Sequence, residues 1–398
     1  MIDIRRRAWT FGCWAVLGLT AACQPITFWE LYGDAASHEE GRAVAQLSDG
    51  GFAVAGATGP ASGPTDLLVV RSDVRGEMQW SRVYGTSKSD SASGVVAFPD
   101  GGLLVVGSSF DASDTRGLLV RTDPAGEEMW RRALLAPTGS SQAIQAIRPT
   151  ADGGFVLVGS RWIGSASSVA DMLLLKVDGD GVEEWSKTYG GAGYEEAYGV
   201  APAVDGGFFL AGVTTSYGAG NFDAWLVKTD SSGTRQWDKT FGTAGYDDGS
   251  AVIAMADGGA AFSGTLEVQG ASHPYGDALV VRTDALGEVL WSRHFGDPDR
   301  DEHARDIQHA LAGGLIVGGY GDVGTSPTNI QVMLAKLDDA GTSAWTRYLG
   351  GAAQEKGQKV LSTSDGGYAL AGTSGQTFSD GQVLLVKTDA EGGTTPPP

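Results

Sequence analysis

The sequence predicts an all-β fold in which one four-stranded antiparallel sheet is repeated seven times in a closed ring. A tryptophan recurs every 50–55 residues, and all copies but the first follow an Asp-x-x-Gly turn. An Asp-Gly pair between two apolar runs marks a hairpin in almost every repeat. The tryptophans are Trp29, Trp80, Trp130, Trp185, Trp237, Trp291 and Trp345. A fixed period of this length indicates a repeat architecture, and four short strands per repeat are typical of a β-propeller blade.

The first repeat shows how each blade is built. Residues 42–47, 52–55, 67–71 and 78–84 are the expected strands. Asp-Gly suits a hairpin that needs a positive φ. These pairs begin at Asp49, Asp100, Asp152, Asp205, Asp257 and Asp365, whereas the sixth repeat has Ala312 at this place.

The second turn has Asp at its first and Gly at its fourth position in all seven copies, as a type I turn prefers. The turn aspartates are Asp73, Asp123, Asp178, Asp230, Asp284, Asp338 and Asp389. The third strands are apolar on both faces, which is typical of strands inside a stack of sheets.

The two ends of the chain predict how the ring closes. Residues 26–33 read as a lone fourth-type strand and 383–389 as a lone third-type strand. Together they complete one blade, so residues 26–393 are expected to form a seven-bladed β-propeller, closed by an N-terminal strand that joins the C-terminal blade. Closure leaves no edge strand exposed to aggregation.

Residues 1–22 have the pattern of an export signal, with three arginines, an apolar segment and small residues. The sequence that ends in Cys23 resembles a bacterial lipobox, which implies lipidation of Cys23; secretion without a lipid is the alternative. Residues 23–25 would then be a short anchor linker, and 394–398 a proline-rich tail.

Composition restricts the function. The net charge is −20, and removal of residues 1–22 (three Arg and Asp3) would leave −22. This charge argues against binding to nucleic acid or to anionic lipid. Both cysteines, Cys13 and Cys23, lie in or at the signal, so no disulfide is expected in the folded part.

The phrases TDxxGxxxWxxxYGG and DGGfxlxG resemble the repeats of bacterial secreted β-propeller lipoproteins over residues 26–393. A weaker resemblance connects them to quinoprotein-type propeller repeats, a group that includes the propeller lipoprotein of the outer-membrane assembly machinery. The resemblance implies an outer-membrane-anchored lipoprotein on the periplasmic or surface side. It implies little about activity.

Features found in every blade are expected to be structural. The tryptophans are interpreted as packing residues. Basic residues near the end of each third strand are expected to pack their stems on the sheet and to place their charges near turn carboxylates. They are Arg71, Arg121, Lys176, Lys228, Arg282, Lys336 and Lys387.

An equivalent position before each first strand is acidic in six of seven blades, and we call these residues the acid ring. Its members are Glu39, Asp90, Gln142, Glu195, Asp247, Glu302 and Glu355. Two interpretations are open: each side chain caps its own loop, or the carboxylates surround the channel mouth and hold a cation or polar ligand. Calcium is the cofactor that such a mouth would take.

Residues that break the repeat are better candidates for specificity. The aromatic ones lie in loops on the face of the acid ring, and together with selected acids they form the predicted ligand site. It comprises Trp162, Tyr217, Phe222, His273, Tyr275, Glu195, Glu196, Asp247, Asp248 and Glu302. Unusual residues also interrupt the sixth blade, namely His303, Arg305, Asp306 and His309, without a metal-site spacing.

No catalytic signature is present: the sequence has no G-x-S-x-G, H-E-x-x-H or P-loop. The function expected is a non-enzymatic, lipid-anchored binding or scaffold module, and the protein is expected to be a monomer. Its partner would be a protein, peptide or polysaccharide of the cell envelope. The alternatives are an outer-membrane assembly partner and a carbohydrate-active enzyme that uses the mouth carboxylates.

Overall fold

The computed structural model describes residues 26–33, 37–60, 63–110, 115–163, 169–267, 276–295, 301–323, 329–351, 353–376 and 380–394. The expected signal peptide, Cys23, the linker 23–25, His273, Tyr275 and residues 395–398 lie outside this range. Within it, no helix is long and apolar enough to cross a bilayer.

The described residues form 28 strands. The first is β1 (Phe28–Tyr32), which belongs to the last blade. The first four blades follow it along the chain. Blade 1 is β2 (His38–Gln46), β3 (Phe52–Gly59), β4 (Asp66–Ser72) and β5 (Met78–Tyr84). Blade 2 is β6 (Ser89–Ala97), β7 (Leu103–Phe110), β8 (Arg116–Thr122) and β9 (Glu128–Leu134). Blade 3 is β10 (Ser140–Pro149), β11 (Phe155–Ile163), β12 (Ala170–Val177) and β13 (Glu183–Tyr189). Blade 4 is β14 (Glu195–Pro202), β15 (Phe208–Thr214), β16 (Asp223–Thr229) and β17 (Arg235–Phe241).

Three further blades complete the ring. Blade 5 is β18 (Asp248–Ala254), β19 (Ala260–Glu267), β20 (Gly276–Thr283) and β21 (Val289–Phe295). Blade 6 is β22 (Glu302–His309), β23 (Leu315–Asp322), β24 (Ile330–Leu337) and β25 (Ser343–Leu349). Blade 7 is β26 (Gln354–Ser362), β27 (Tyr368–Gly375) and β28 (Gln382–Thr388), joined by β1.

This arrangement is a seven-bladed β-propeller, so the predicted fold class is confirmed. Each sheet runs in sequence order from its first strand to its fourth, and in the last sheet β1 takes the fourth place beside β28. The first strands of neighbouring blades touch around the ring and line its axis. Apolar clusters fill the spaces between blades, which are built chiefly from the second and third strands.

The position of the first tryptophan was predicted wrongly. In blade 1, Trp80 lies opposite Arg71, but in the closing blade the equivalent Lys387 lies opposite Phe28. Phe28 therefore takes the place of the repeated tryptophan. Trp29 points to the other face of the sheet and packs against blade 6, because successive residues of a strand alternate between faces.

The repeated tryptophans join neighbouring blades. Trp80 donates its indole N–H to the Pro124 carbonyl, 3.3 Å away, in the Asp-x-x-Gly turn of the next blade. In that turn Gly126 has φ 78°, and a β-carbon there would lie 2.9 Å from the Trp80 ring. Only glycine fits both demands. The packing interpretation of these tryptophans is thus confirmed, and it explains the invariant turn glycine.

The basic residues of the third strands pair with the hairpin aspartates of their own blades. The Arg121–Asp100 distance is 2.8 Å, and the Lys228–Asp205 distance is 2.7 Å. In blade 6 the hairpin has no aspartate, and the Lys336 ammonium donates to the Gly313 carbonyl at 2.5 Å. Burial lowers the pKa of Lys336, against the opposing charges of Asp339 and Asp338. The predicted structural role of these cations is confirmed.

Candidate binding site in the axial channel

Every innermost strand contains one extra residue where its pairing register shifts by one. In blade 1, for example, Gly41 and Ala43 pair with consecutive residues of β3, and Arg42 is left out of the pairing. Such a β-bulge redirects the extra side chain. The seven extra residues all line one cavity, and we call them the bulge ring: Arg42, Ser93, Gln145, Tyr198, Ser250, Arg305 and Gln358.

This space, the channel cavity, has a volume of about 370 Å³. Glu40, Tyr246, Asp248 and Lys359 complete its lining. A second cavity of about 190 Å³ lies further along the innermost strands and shares Ser93 and Lys359 with the first. The channel cavity falls near the lower end of the range of about 300–1,000 Å³ that is usual for small-molecule sites.

One side of the channel cavity is cationic. Arg305, Lys359 and Arg42 belong to blades 6, 7 and 1, which are consecutive in the ring. Arg42 contacts Glu40 at 2.7 Å, Arg305 lies 3.8 Å from Asp248, and Lys359 lies 3.5 Å from Asp306. Burial lowers the pKa of Lys359, against the opposing Asp306 charge.

The facing side, from blades 4 and 5, is aromatic. Tyr198 and Tyr246 line the cavity, and Phe222 packs on the Tyr246 ring with centroids 5.0 Å apart. Tyr194 packs on the other side of Phe222, at 6.2 Å. Burial raises the pKa of Tyr198, and the neighbouring Glu196 charge raises it further. The Tyr198 hydroxyl therefore keeps its proton at neutral pH and can donate a hydrogen bond.

The acid ring belongs to the loops that it lies in. Glu195 is fully buried, and its carboxylate accepts the Gly191 N–H at 2.8 Å, the Ser216 N–H at 3.1 Å and the Thr214 hydroxyl at 3.0 Å. In blade 5 Asp247 accepts the Thr243 N–H and, at 2.7 Å, the Glu267 N–H.

The same pattern recurs in blade 2, where Asp90 accepts the Thr86 N–H and hydroxyl. Glu302, also fully buried, accepts the Tyr348 hydroxyl at 3.4 Å. These contacts agree with the loop-capping interpretation. In blade 1 the innermost strand begins at His38, four residues before the predicted 42–47, so Glu39 lies inside β2. In blade 5, Asp247 directly precedes β18.

Two members of the acid ring differ from the rest. Gln142 donates to the Leu134 carbonyl at 3.2 Å and accepts two bonds from Arg161, so an amide replaces the carboxylate there. Glu355 is 2% exposed, and its Oε2 has no hydrogen-bond partner among the described residues. Burial raises the pKa of Glu355 to about 7, against smaller contributions from the Gly351 amide and the Ser374 hydroxyl.

The predicted site residues are divided among three places. Asp248 lines the channel cavity, and Glu196 accepts a 2.9 Å bond from Gln145 of the bulge ring. Phe222 does not line the cavity but packs on the ring of Tyr246, which does. Glu195 and Glu302 are buried at the first residues of β14 and β22, and Asp247 is buried one residue before β18.

The other two described aromatic residues of the predicted site do not line the channel cavity. Tyr217 packs on Trp225 with centroids 5.4 Å apart and donates to the Gly190 carbonyl at 3.1 Å. Trp162 lies near the end of β11, paired with Ala170 and Ser141. The Tyr217 contacts hold the loop between β15 and β16, and Trp162 takes part in the strand pairing of blade 3.

Sequence reasoning did not find the bulge ring, although a signal for it exists. Each bulge residue lies three positions after a member of the acid ring, for example Tyr198 after Glu195. This column of the repeat contains two Arg, two Ser, two Gln and one Tyr, whereas the residue directly before it is Gly or Ala in six of the seven blades. The variation is informative only once the bulge shows that the column faces the axis.

No cluster of three or more His, Cys, Asp or Glu side chains in the described part of the chain is arranged to hold a metal ion. The carboxylates nearest the channel cavity are already engaged by neighbouring donors. Glu196 accepts from Gln145 and Ser160, and the Asp248 Oδ1 accepts from Ser250 and the Thr265 N–H. The arrangement is suited to hydrogen bonding of a polar ligand.

Comparisons with known proteins support the fold alone. No protein-family model matches this sequence, and no curated protein sequence is similar to it. The resemblance to secreted bacterial propeller repeats therefore stays a prediction.

Among solved structures, the WD40 domain of Neurospora crassa Pan2 is similar, with a TM-score of 0.53 and 9% identity over 91% of this chain and 99% of that one. A puromycin hydrolase has a TM-score of 0.55 and 12% identity, with coverage of 92% of this chain and 55% of the hydrolase. This chain thus spans about half the length of the hydrolase. At such low identity the likeness does not choose between binding and catalysis.

Proposed function

We propose that this chain is an exported, lipid-anchored binding module of the bacterial cell envelope, and that its ligand occupies the channel cavity. The observation that carries the proposal is that seven bulge residues, of four residue types, line one cavity. A purely structural column of the repeat would keep one residue type, as the tryptophans and turn glycines do. Variation at a single accessible position indicates recognition of an asymmetric ligand.

Several bulge residues keep hydrogen-bonding capacity free for a ligand. The side chains of Tyr198 and Gln358 make no hydrogen bond within the described residues, although both line the cavity. The size of the cavity, about 370 Å³, suits a single sugar unit or the end of a peptide. The ligand would therefore be a small solute or a terminal group of an envelope peptide or polysaccharide.

A catalytic role for the acid ring is disfavoured by its geometry. Glycoside hydrolysis needs one carboxylic acid and one carboxylate on either side of the scissile bond. Glu195 and Asp247 are instead buried and bonded to backbone N–H groups of their own loops. The binding role uses the bulge ring and leaves the acids to hold the loops.

Affinity selection tests the binding role. The purified protein would be incubated with peptides and oligosaccharides from digested bacterial envelopes, gel-filtered, and analysed by mass spectrometry. We expect at least one compound to be retained with its mass unchanged, and to be lost from Tyr198→Ala/Gln358→Ala. Met129→Ala, on the exposed outer strand β9, is the matched control and should retain it. Equal retention by the channel variant, retention by no protein, or recovery of a cleaved compound would contradict the proposal.

The anchor is tested separately. Cys23→Ser should give a soluble or unprocessed protein, because the proposed attachment is a lipid on the Cys23 thiol, which serine cannot carry. Fractionation of cells that express each form, with signal processing followed by mass, checks this. A processed Cys23→Ser protein that stays in the membrane fraction would rule out lipidation as the anchor.

A further inference from the structure

We infer that the channel cavity selects a small organic anion, whose charged group is held by Arg42, Arg305 and Lys359 while its body lies against Tyr198 and Tyr246. The inference rests on the proposed binding role and names the chemical class of the ligand. The shared chemistry is a carboxylate or phosphate group on a compact polar body.

The charge distribution is the first argument. The whole chain has 28 basic and 48 acidic residues, for a net charge of −20. Three basic side chains nevertheless project into one cavity from consecutive blades, against two acidic ones, Glu40 and Asp248. In an acidic protein, a local excess of cations inside a partly enclosed space attracts negatively charged ligands, because the low-dielectric walls focus the electric field.

Arg305 keeps capacity for a ligand. Arg305 donates one bond, to the Tyr320 hydroxyl at 2.9 Å, and its Nε–H has no acceptor within the described part of the chain. Its carboxylate neighbour Asp248 is 3.8 Å away. Five N–H groups in a planar fork suit bidentate contact with a carboxylate or phosphate.

Lys359 is also weakly paired. Its ammonium lies 3.5 Å from the Asp306 carboxylate. Asp306 meanwhile accepts the Val360 N–H at 3.0 Å and the Gln308 amide at 3.3 Å. An anion in the channel cavity would give the ammonium a closer partner than the one it has.

A cationic ligand fits less well, because the acidic groups are satisfied. Glu40 contacts Arg42 at 2.7 Å, and the Asp248 Oδ1 accepts the Ser250 hydroxyl at 2.8 Å and the Thr265 N–H at 3.1 Å. On the aromatic side the Tyr198 phenol stays protonated and can donate a hydrogen bond to the ligand. Donors around the cavity favour an acceptor-rich ligand.

A matched pair of sugars tests the inference. Galacturonate and galactose share a ring and differ by a carboxylate, and inorganic phosphate tests the anionic group alone. Isothermal titration of the whole protein should show binding of galacturonate or phosphate and at least tenfold weaker binding of galactose. Arg42→Gln should weaken binding of the anion by about tenfold, as expected for the loss of one charge-assisted hydrogen bond.

Two further variants distinguish a loss of binding from a loss of folding or of charge elsewhere on the protein. Arg305→Lys keeps the charge but removes the planar fork, so it should weaken binding while the melting temperature stays unchanged. Arg75→Gln removes a cation from an exposed turn at the other end of the blade and should bind like the wild type. Galactose that binds as tightly as galacturonate would overturn the anion inference but leave the binding role intact. An absence of binding by both anions at 10 mM, or equal losses in Arg75→Gln, would also overturn it.

Discussion

The acid ring and the bulge ring lie three residues apart on the same seven strands, and they differ in burial, bonding and variation. Glu195 is fully buried and accepts three hydrogen bonds from its own blade. Tyr198, on the same strand, reaches the channel cavity and makes no side-chain hydrogen bond within the described residues. The acid ring repeats because each blade needs the same loop, whereas each bulge residue meets a different part of a shared space.

The comparison teaches that a charged residue repeated in every blade is a poor guide to a binding site. A carboxylate at or next to the start of an innermost strand accepts a hydrogen bond from the N–H of the residue four positions earlier, as in the Gly191–Glu195 and Thr243–Asp247 pairs. This local bond recurs wherever the loop recurs. The bulge, in contrast, is a backbone irregularity that frees one side chain from the sheet, and the residue at that position differs among the blades.

The largest effect is expected from opening the closed propeller, because the acid ring and the bulge ring both depend on its closure. Deletion of residues 26–32 removes β1 and leaves β28 as an exposed edge next to solvent. Buried Phe28, Trp29 and Tyr32 would be lost from the interface between blades. We expect aggregation or the loss of cooperative thermal unfolding, measured by calorimetry and light scattering. A deleted chain that melts cooperatively at the full-length temperature would contradict closure by β1.

The next effect separates the two rings. Glu195→Ala removes the acceptor of three donors, the Gly191 N–H, the Ser216 N–H and the Thr214 hydroxyl, so the free energy of unfolding should fall by about 2–4 kcal/mol. Chemical denaturation of the variant checks this. Glu183→Ala, an exposed carboxylate at the start of β13, is the control and should change stability by less than about 0.5 kcal/mol. A stable Glu195→Ala protein, with or without calcium, would return the acid ring to the list of binding residues.

A third test sharpens the comparison inside the acid ring. The pKa of Glu355 is about 7 in the fold against a usual value near 4.5, so folding favours its neutral form. Its stabilising contribution is complete below about pH 4.5 and is lost as the pH rises through 7. Glu355→Gln should therefore match the wild type at about pH 4 and exceed its stability at about pH 8 by about 1–3 kcal/mol. Melting curves at both pH values decide, and a variant that is less stable at pH 8 would show that the carboxylate is needed.

The smallest effect is expected in the bulge ring. Gln358→Ala removes a side chain that makes no hydrogen bond within the described residues, so stability should change by less than about 0.5 kcal/mol. The same denaturation experiment used for Glu195→Ala measures it. A loss comparable to that of Glu195→Ala would mean that the bulge ring holds the fold, and the contrast between the rings would disappear.

Much of the fold followed from the sequence because its signals are local. The Asp-x-x-Gly turn, the Asp-Gly hairpin and strand alternation each act over a few residues, and their repetition gave the number of blades and the closing partner. The exception is instructive. Trp29 was aligned with Trp80 by residue type, but the pairing of β1 with β28 places Phe28 there, since register depends on the partner strand.

The candidate site followed only in part. Asp248 lines the channel cavity and Glu196 contacts Gln145, as residues near the predicted mouth should. Tyr217 and Trp162 were chosen because they interrupt the repeat, yet Tyr217 packs on Trp225, Trp162 is paired within the sheet of blade 3, and neither lines the channel cavity. Arg305 was noticed as an interruption of blade 6 without a role, because its neighbours in the cavity come from other blades.

The sequence by itself determined the seven-bladed ring, the turns that build each blade and the structural role of the repeated cations. Those features depend on contacts that are close in the chain or that recur at a fixed period. Only the tertiary structure decided that seven residues, one from each blade, share a single cavity. Arg42 and Arg305 are more than 250 residues apart in the chain. They become neighbours of the same space because a bulge turns each toward the axis and closure of the ring brings blades 6, 7 and 1 together.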